Sequence, residues 1–472
     1  MKQELSKQYV HDIVASVVAS IVGQESNPHA QHSQGCFLFD SMDDCVEAAQ
    51  NAFEQSREMS LMKRREIVEA MRVAARSNAE LLAKAAYEET GYGSVAHKVL
   101  KCRLAADKTP GVEDICVKSD AGDDGLTLTM QVPFGVVGAI TPSTNPVATV
   151  VNNAIGMVAA GNTVVFAPHP AAKACTKLAI SILNSAIVGA GAPAPMLYCV
   201  KEPDIKSSQR LMEHPVVRLL AVTGGEAIVN IAMRTGKKVI AAGPGNPPVI
   251  VDETADIQRS AKDIVDGASF ENNILCIAEK EVFVVESVGN ALVKAMTEAG
   301  AQLITPDQVE NLIKTILIYS DGKYTINRKF VGRDAQTLLN AAGIPLVGQP
   351  RLITAIVRKD HPLVTTEMLM PVLPVVYVRD VDEAIRLAVE AEGGCHHSAH
   401  MHSRNVDHLA RAARALDTTI FVKNAPSYAG VGFGGEGYCT FTIATPTGEG
   451  LTSARCFTRS RRCVLGGEFQ LI

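Results

Sequence analysis

The stretch GASFENNILCIAEKEVFVV sets Cys276 between a helical approach and a strongly β-prone run. A thiol adds well to a carbonyl carbon only as its thiolate, a form that backbone amides or a helix end favour. On its own, a cysteine between Leu275 and Ile277 is more often a small core residue. A second polar feature closes VPFGVVGAITPSTNP (132–146), where Asn145 can offer its amide, or Thr144 its hydroxyl, to a developing oxyanion. A loop-capping asparagine is the plainer alternative. The glycine-rich VTGGEAIV (222–229) and AAGPGNPPVIVD (241–252) let backbone approach a dinucleotide, although neither matches GxGxxG and each also reads as a tight turn after a strand. His169 in FAPHP and His396 and His397 in GGCHHSAH follow other turns, without the HExxH spacing or nearby carboxylates of a metal centre.

These residues need a scaffold. A chain of 472 residues at 47% apolar content can bury a large core and suggests two to four domains. Its 45 basic and 50 acidic residues leave a net charge of −5, which implies neither nucleic acid nor a membrane surface as partner. Eleven scattered cysteines, none in CxxC spacing, fit a reducing, cytoplasmic setting. The pattern is helical from Asp43 to Thr90, and Gly91 makes a natural stop. Beyond it, GVVGAIT (135–141), NTVVFAP (162–168), VRLLAVTG (217–224) and KKVIAAG (237–243) alternate with helices at 150–160, 171–190, 205–213 and 225–235. EVFVVES (281–287), LITAIV (352–357) and VLPVVYV (372–378) alternate with helices near 289–300 and 381–391. The expectation is α/β, with parallel sheets covered on both faces. TLTMQVPF (127–134) and RCVLGGEFQLI at the end are strand-like but fall outside the alternation.

Residues 1–22 form a different kind of segment. Leu5, Tyr9, Val10, Ile13, Val14, Val17, Val18, Ile21 and Val22 make one helical stripe, and the polar residues 23–35 read as a tether. A docking peptide fits better than an ordinary first helix or a secretory signal, which Glu4 and Asp12 interrupt.

Taken together and in order, TPSTNP, FAPHPAAK, VTGGEA, AAGPGNPPVIVDETAD, NNILCIAEKE, TTEMLMPVLPVV, EGGCHHSAHMHSRN, FVKNAPSYAG and GGEGYCTFTIATPTGEGLTSAR resemble the coenzyme A-acylating aldehyde dehydrogenases of bacterial microcompartments. The resemblance spans essentially the whole chain and makes Cys276 the nucleophile. It implies a Rossmann-type cofactor domain over 36–245, a catalytic α/β domain over 246–440, and a return through 441–472. An antiparallel flap that includes 127–134 would build dimers or tetramers. By the same likeness Thr141, Pro142, His169, Thr223, Gly224 and Gly225 line the NAD site and Glu367 meets the nicotinamide ribose. Residues 1–22 resemble the encapsulation peptides that dock on a shell protein, which places the enzyme in a microcompartment lumen.

Hydrolytic members of that family carry a water-activating glutamate where Ala242 stands here, and a cofactor-binding lysine where His169 stands. Water needs a general base to attack a thioester at neutral pH, whereas a thiol of pKa roughly 8.5 is already a few per cent ionised. The expected chemistry is therefore addition of Cys276 to propionaldehyde or acetaldehyde, with an oxyanion on the Cys276 amide and Asn145. Hydride transfer to NAD and capture of the acyl group by coenzyme A follow, with His397 orienting or deprotonating that thiol. Release of free acid by water is the alternative, and an inactive nucleotide-binding scaffold a remoter one.

Overall fold

The computed structural model describes residues 36–467; the segments 1–22 and 23–35 lie outside the described residues. Two parallel sheets carry the architecture. The first has six strands in the order Leu38–Phe39, Leu197–Val200, Thr163–Pro168, Val136–Thr141, Val217–Thr223 and Lys238–Ala242. Val136–Thr141 and Thr163–Pro168 are buried along their whole length, because helices cover both faces. Successive strands step to one side of Val136–Thr141 and then cross to the other, so a topological switch lies between Val136–Thr141 and Val217–Thr223. Open α/β sheets bind their ligands at such a point, beyond the carboxyl ends of the strands.

The second sheet has seven strands, in the order Ala301–Leu303, Leu352–Ile356, Val372–Val378, Glu281–Val285, Pro248–Val251, Ser398–His402 and Ile420–Lys423, all parallel. Separate apolar clusters fill its two faces, one around Val249, Val282 and Leu373 and the other around Ile250, Phe283 and Met401. Burying a side chain such as Phe283 contributes about 1.5–3 kcal/mol. Residues 243–247 connect the two sheets, and the Lys280 N–H bonds the Pro247 carbonyl at 3.0 Å, fastening the connection to the strand that follows the nucleophile.

The helical stretch expected over 43–90 is three helices, Met42–Ser56, Leu61–Ser77 and Ala79–Thr90. Ser60 starts the second by accepting from the Lys63 N–H at 3.1 Å, and Gly91 ends the third in the left-handed region at φ +66°. A fourth helix, Val95–Lys108, was not expected; Ser94 caps it and it runs beside the site. Helix Lys173–Gly189, with Ile180, Leu183 and Ile187 fully buried, uses its apolar face in the first core. The two strand-like segments outside the alternation pair with each other: Gly125–Pro133 lies antiparallel between Lys118–Gly122 and Thr458–Gly466.

Candidate active site

Cys276 stands on the loop between helix Ile257–Ser269 and strand Glu281–Val285. Glu271, Asn272 and Asn273 all adopt the left-handed region, at φ 53°, 54° and 64°. Three such residues in succession are strained unless the surroundings hold them. Asn272 Nδ2 donates to the carbonyls of Gly93 and Gly332 at 3.1 and 2.9 Å, and Asn273 Nδ2 to those of Ala268 and Glu279 at 2.8 and 2.9 Å. From the other side the buried Lys280 ammonium donates to Asn273 O at 3.0 Å, Asn273 Oδ1 at 2.5 Å and Leu275 O at 3.2 Å. The loop is thus pinned by side chains on both flanks of the sulfur.

Cys276 is half-buried. The main-chain N–H groups of Cys276 and Ile277 favour the thiolate, as does the Lys280 charge. Burial works the other way, aided by the Glu367 carboxylate, and pushes the thiol up to about 12. Desolvation therefore outweighs the amides in the protein alone.

Asn145 begins helix Pro146–Ala159 without capping it; its Oδ1 instead accepts from the Lys101 ammonium. Because an ammonium only donates, this fixes the amide with Nδ2 outward, free of any partner among the described residues. Glu367 is half-buried; burial raises its carboxyl, while Lys280 and a hydrogen bond from the Gly245 N–H oppose that. His397 is 1% exposed, so an incoming thiol does not reach it without movement of its neighbours. Its Nδ1 lies 3.1 Å from Ser398 Oγ, its Nε2 has no partner among the described residues, and burial brings the ring down to about 4. A Cβ on Gly245 would come within 2.8 Å of the ring. His397 thus backs the Gly245 turn that reaches Glu367. His396 is exposed, with Nδ1 3.0 Å from Asp417 O.

The residues expected at the dinucleotide gather at the carboxyl ends of the first sheet. Thr141 ends the strand at the switch point, and its buried Oγ1 has no hydrogen-bond partner among the described residues. Pro142 follows it half-buried, and the exposed His169 follows the neighbouring strand Thr163–Pro168, its Nδ1 accepting from the Ala171 N–H at 3.1 Å. Thr223 Oγ1 lies 2.9 Å from Thr442 Oγ1. Gly225 precedes helix Glu226–Met233 with open space where a Cβ would sit, whereas a Cβ on Gly224 would lie 2.8 Å from Ile228. These features fit a dinucleotide laid across the sheet end. Ala242, buried at the end of the last strand, offers no base.

Beside the nucleophile, Leu104, Phe270, Leu275, Val431 and Phe441 line a small, mostly apolar recess together with Lys101, and Cys276 packs against the same apolar cluster. Sequence reasoning missed Lys98, Lys101, Glu271 and Lys280. For Lys280 a signal existed, in the three charges Glu279, Lys280 and Glu281 entering the fully buried strand Glu281–Val285.

The sequence model of the aldehyde dehydrogenase family matches residues 39–444. The chain is 49% identical over 471 residues to "Acetaldehyde dehydrogenase (acetylating) EutE" of Salmonella typhimurium, covering 99% of this chain and 100% of that one. Among solved structures it is similar to a propionaldehyde dehydrogenase from the Clostridium phytofermentans fucose utilisation bacterial microcompartment, with TM-score 0.90 and 48% identity over 92% of this chain and 100% of that one. The Rhodopseudomonas palustris propionaldehyde dehydrogenase with bound CoA and an acylated cysteine gives TM-score 0.89 and 46% identity over 91% and 98%.

Proposed function

The chain belongs to the aldehyde dehydrogenase family, and from that membership we propose that it oxidises a short aldehyde, propionaldehyde or acetaldehyde, and transfers the acyl group to coenzyme A. The observation that carries the reading is Cys276 itself: a half-buried thiol on a pinned loop, favoured as thiolate by two main-chain N–H groups and the Lys280 charge; the resemblance to the family adds Ala242 in place of a hydrolytic base. The acylated cysteine of the Rhodopseudomonas relative supports it.

The Cys276 thiolate attacks the carbonyl carbon, and the new C–S bond leaves the oxygen as an oxyanion between the Cys276 N–H and Asn145 Nδ2. Two fixed donors stabilise that charge without reorganising, a contribution of about 3–4 kcal/mol for one such donor. NAD, when bound at Thr141, Pro142, His169, Thr223, Gly224, Gly225 and Glu367, supplies a hydride acceptor. Oxidation leaves a thioester on Cys276. Coenzyme A, its thiol proton lost to solvent, adds to that carbonyl as the thiolate, the same donors hold the second oxyanion, and Cys276 leaves as thiolate. The apolar recess takes the alkyl tail, where one methylene is worth about 1–3 kcal/mol of discrimination.

One observation favours a second reading, release of free acid: Glu367 is a carboxylate close enough to influence the thiol. Product analysis decides. Acyl-CoA is expected only with coenzyme A present, with aldehyde oxidation nearly silent without it. Free acid formed equally well in its absence means that water is the acceptor.

The enzyme works inside a shelled compartment, as the Clostridium relative's origin suggests, and residues 1–22 dock it on a shell protein. Removing residues 1–22 should leave kcat unchanged and abolish co-purification with shell; packaging that survives the deletion assigns docking elsewhere. The ribbon of Lys118–Gly122, Gly125–Pro133 and Thr458–Gly466 has both outer edges unpaired among the described residues, and joins copies into a dimer or tetramer.

A further inference from the structure

The oxyanion donor and the nucleophile loop meet on one side chain, Lys101 of helix Val95–Lys108, which is 3% exposed. Its ammonium donates to Asn145 Oδ1 and lies 3.1 Å from Glu271 Oε2. Glu271, 0% exposed, opens the left-handed run that leads to Cys276, and the start of the same helix anchors it. Lys98 Nζ lies 3.0 Å from Glu271 Oε1, which also accepts from the Ser94 N–H at 3.2 Å. The Glu271 N–H donates to His97 Nδ1 at 2.9 Å. Gly93 must be glycine, since a Cβ there would sit 1.7 Å from Glu271 Oε1. Burial works against the Glu271 charge, but Lys101 and Lys98 outweigh it and hold the carboxyl below its ordinary range.

Two features set this group apart from a structural ion pair. One lysine would neutralise one glutamate; a second puts a further cation in a buried place, and burial, with Lys98 beside it, brings Lys101 down to about 8. Asn145 also stands where an asparagine ordinarily caps its helix, yet its oxygen is turned to Lys101 instead. A cation on that oxygen withdraws density from the amide and makes its N–H₂ a better donor.

We propose that Lys101 is a positioning residue of the reaction: it holds Asn145 Oδ1 so that Nδ2 faces the oxyanion, and through Glu271 it registers that donor against the loop carrying Cys276. The proposal rests on Asn145 being the oxyanion donor. It is tested with Asn145→Ala, Lys101→Met and the double variant, by steady-state acyl-CoA formation from propionaldehyde on preparations that melt cooperatively. Asn145→Ala should lower kcat about 100-fold and Lys101→Met about 10- to 100-fold, with KM for aldehyde and NAD within about threefold of the parent. The double variant should be no slower than Asn145→Ala alone, because Lys101 has nothing left to position. Losses that multiply in the double variant, or a Lys101→Met effect confined to KM, overturn the proposal. An Asn145→Ala variant of full activity instead sinks the oxyanion assignment. Should Lys101→Met not fold, the near-isosteric Glu271→Gln goes through the same cycle with the same criteria.

Discussion

Cys276→Ala should lose turnover by roughly 10⁴-fold or more while still binding NAD, because the covalent intermediate has nowhere else to form. Losing a small, partly exposed side chain creates little cavity, so the melting temperature should stay within a few degrees of the parent. The neighbouring thiols offer no substitute. Cys102 is buried and pushed up to about 12 by desolvation, and Cys439 is buried and raised as well. Cys395 is half-buried, and burial with the Glu392 and Glu367 carboxylates raises it. NADH formation by the purified variant is the measurement, and residual turnover within tenfold of the parent would refute the assignment. The parent's iodoacetamide labelling adds a pH test. With the Cys276 thiol near 12, labelling without NAD, read on the Cys276 peptide apart from the exposed Cys36, Cys116 and Cys463, should climb about tenfold per pH unit through pH 10, since only the thiolate reacts.

The second large effect concerns stability. Lys280→Met removes an ammonium that is 1% exposed and leaves two acceptors, Asn273 O and Asn273 Oδ1, buried without a donor, while Leu275 O keeps the Ala278 N–H at 3.1 Å. Each orphaned group costs about 1–3 kcal/mol, so a loss of at least about 2 kcal/mol is expected. The damage should concentrate at residues 271–277, whose left-handed backbone depends on those bonds. A urea titration reads the total, and amide hydrogen exchange over 271–277 reads its location. An unchanged urea midpoint with unchanged protection would show that the clamp holds nothing.

The alternation of apolar runs with helical segments was enough to read the two α/β halves, because strands such as VVGAIT and TVVFAP are buried on both faces and carry no polar interruption. Strand Ser398–His402 escaped the same reading. SAHMH contains two histidines that look like surface residues, yet both are buried, and burial brings His400 down to about 3 and His402 to about 4. The helical run over 43–90 was legible as helix but not as three, since serine caps and a single Asn78 are weak local marks beside a continuous charged pattern. At the site, Cys276 and Asn145 stood out by residue type within their motifs. Glu271 and its helix did not: Glu271 and Ser94 lie 177 residues apart, and only tertiary folding brings that carboxylate to its lysines.

The ribbon formed by Gly125–Pro133 and Thr458–Gly466 has a consequence for how the polypeptide is made. Gln131 and Ser460, opposite each other in it, are separated by 329 positions. At roughly 5–20 residues per second a ribosome needs about 15–65 s to deliver the second strand after the first has emerged. Throughout that interval Gly125–Pro133 has only the short Lys118–Gly122 beside it and presents its other edge to any extended peptide nearby. The newborn chain therefore carries this open edge for the whole of that interval, and dense polysomes should be the place where its yield is lost.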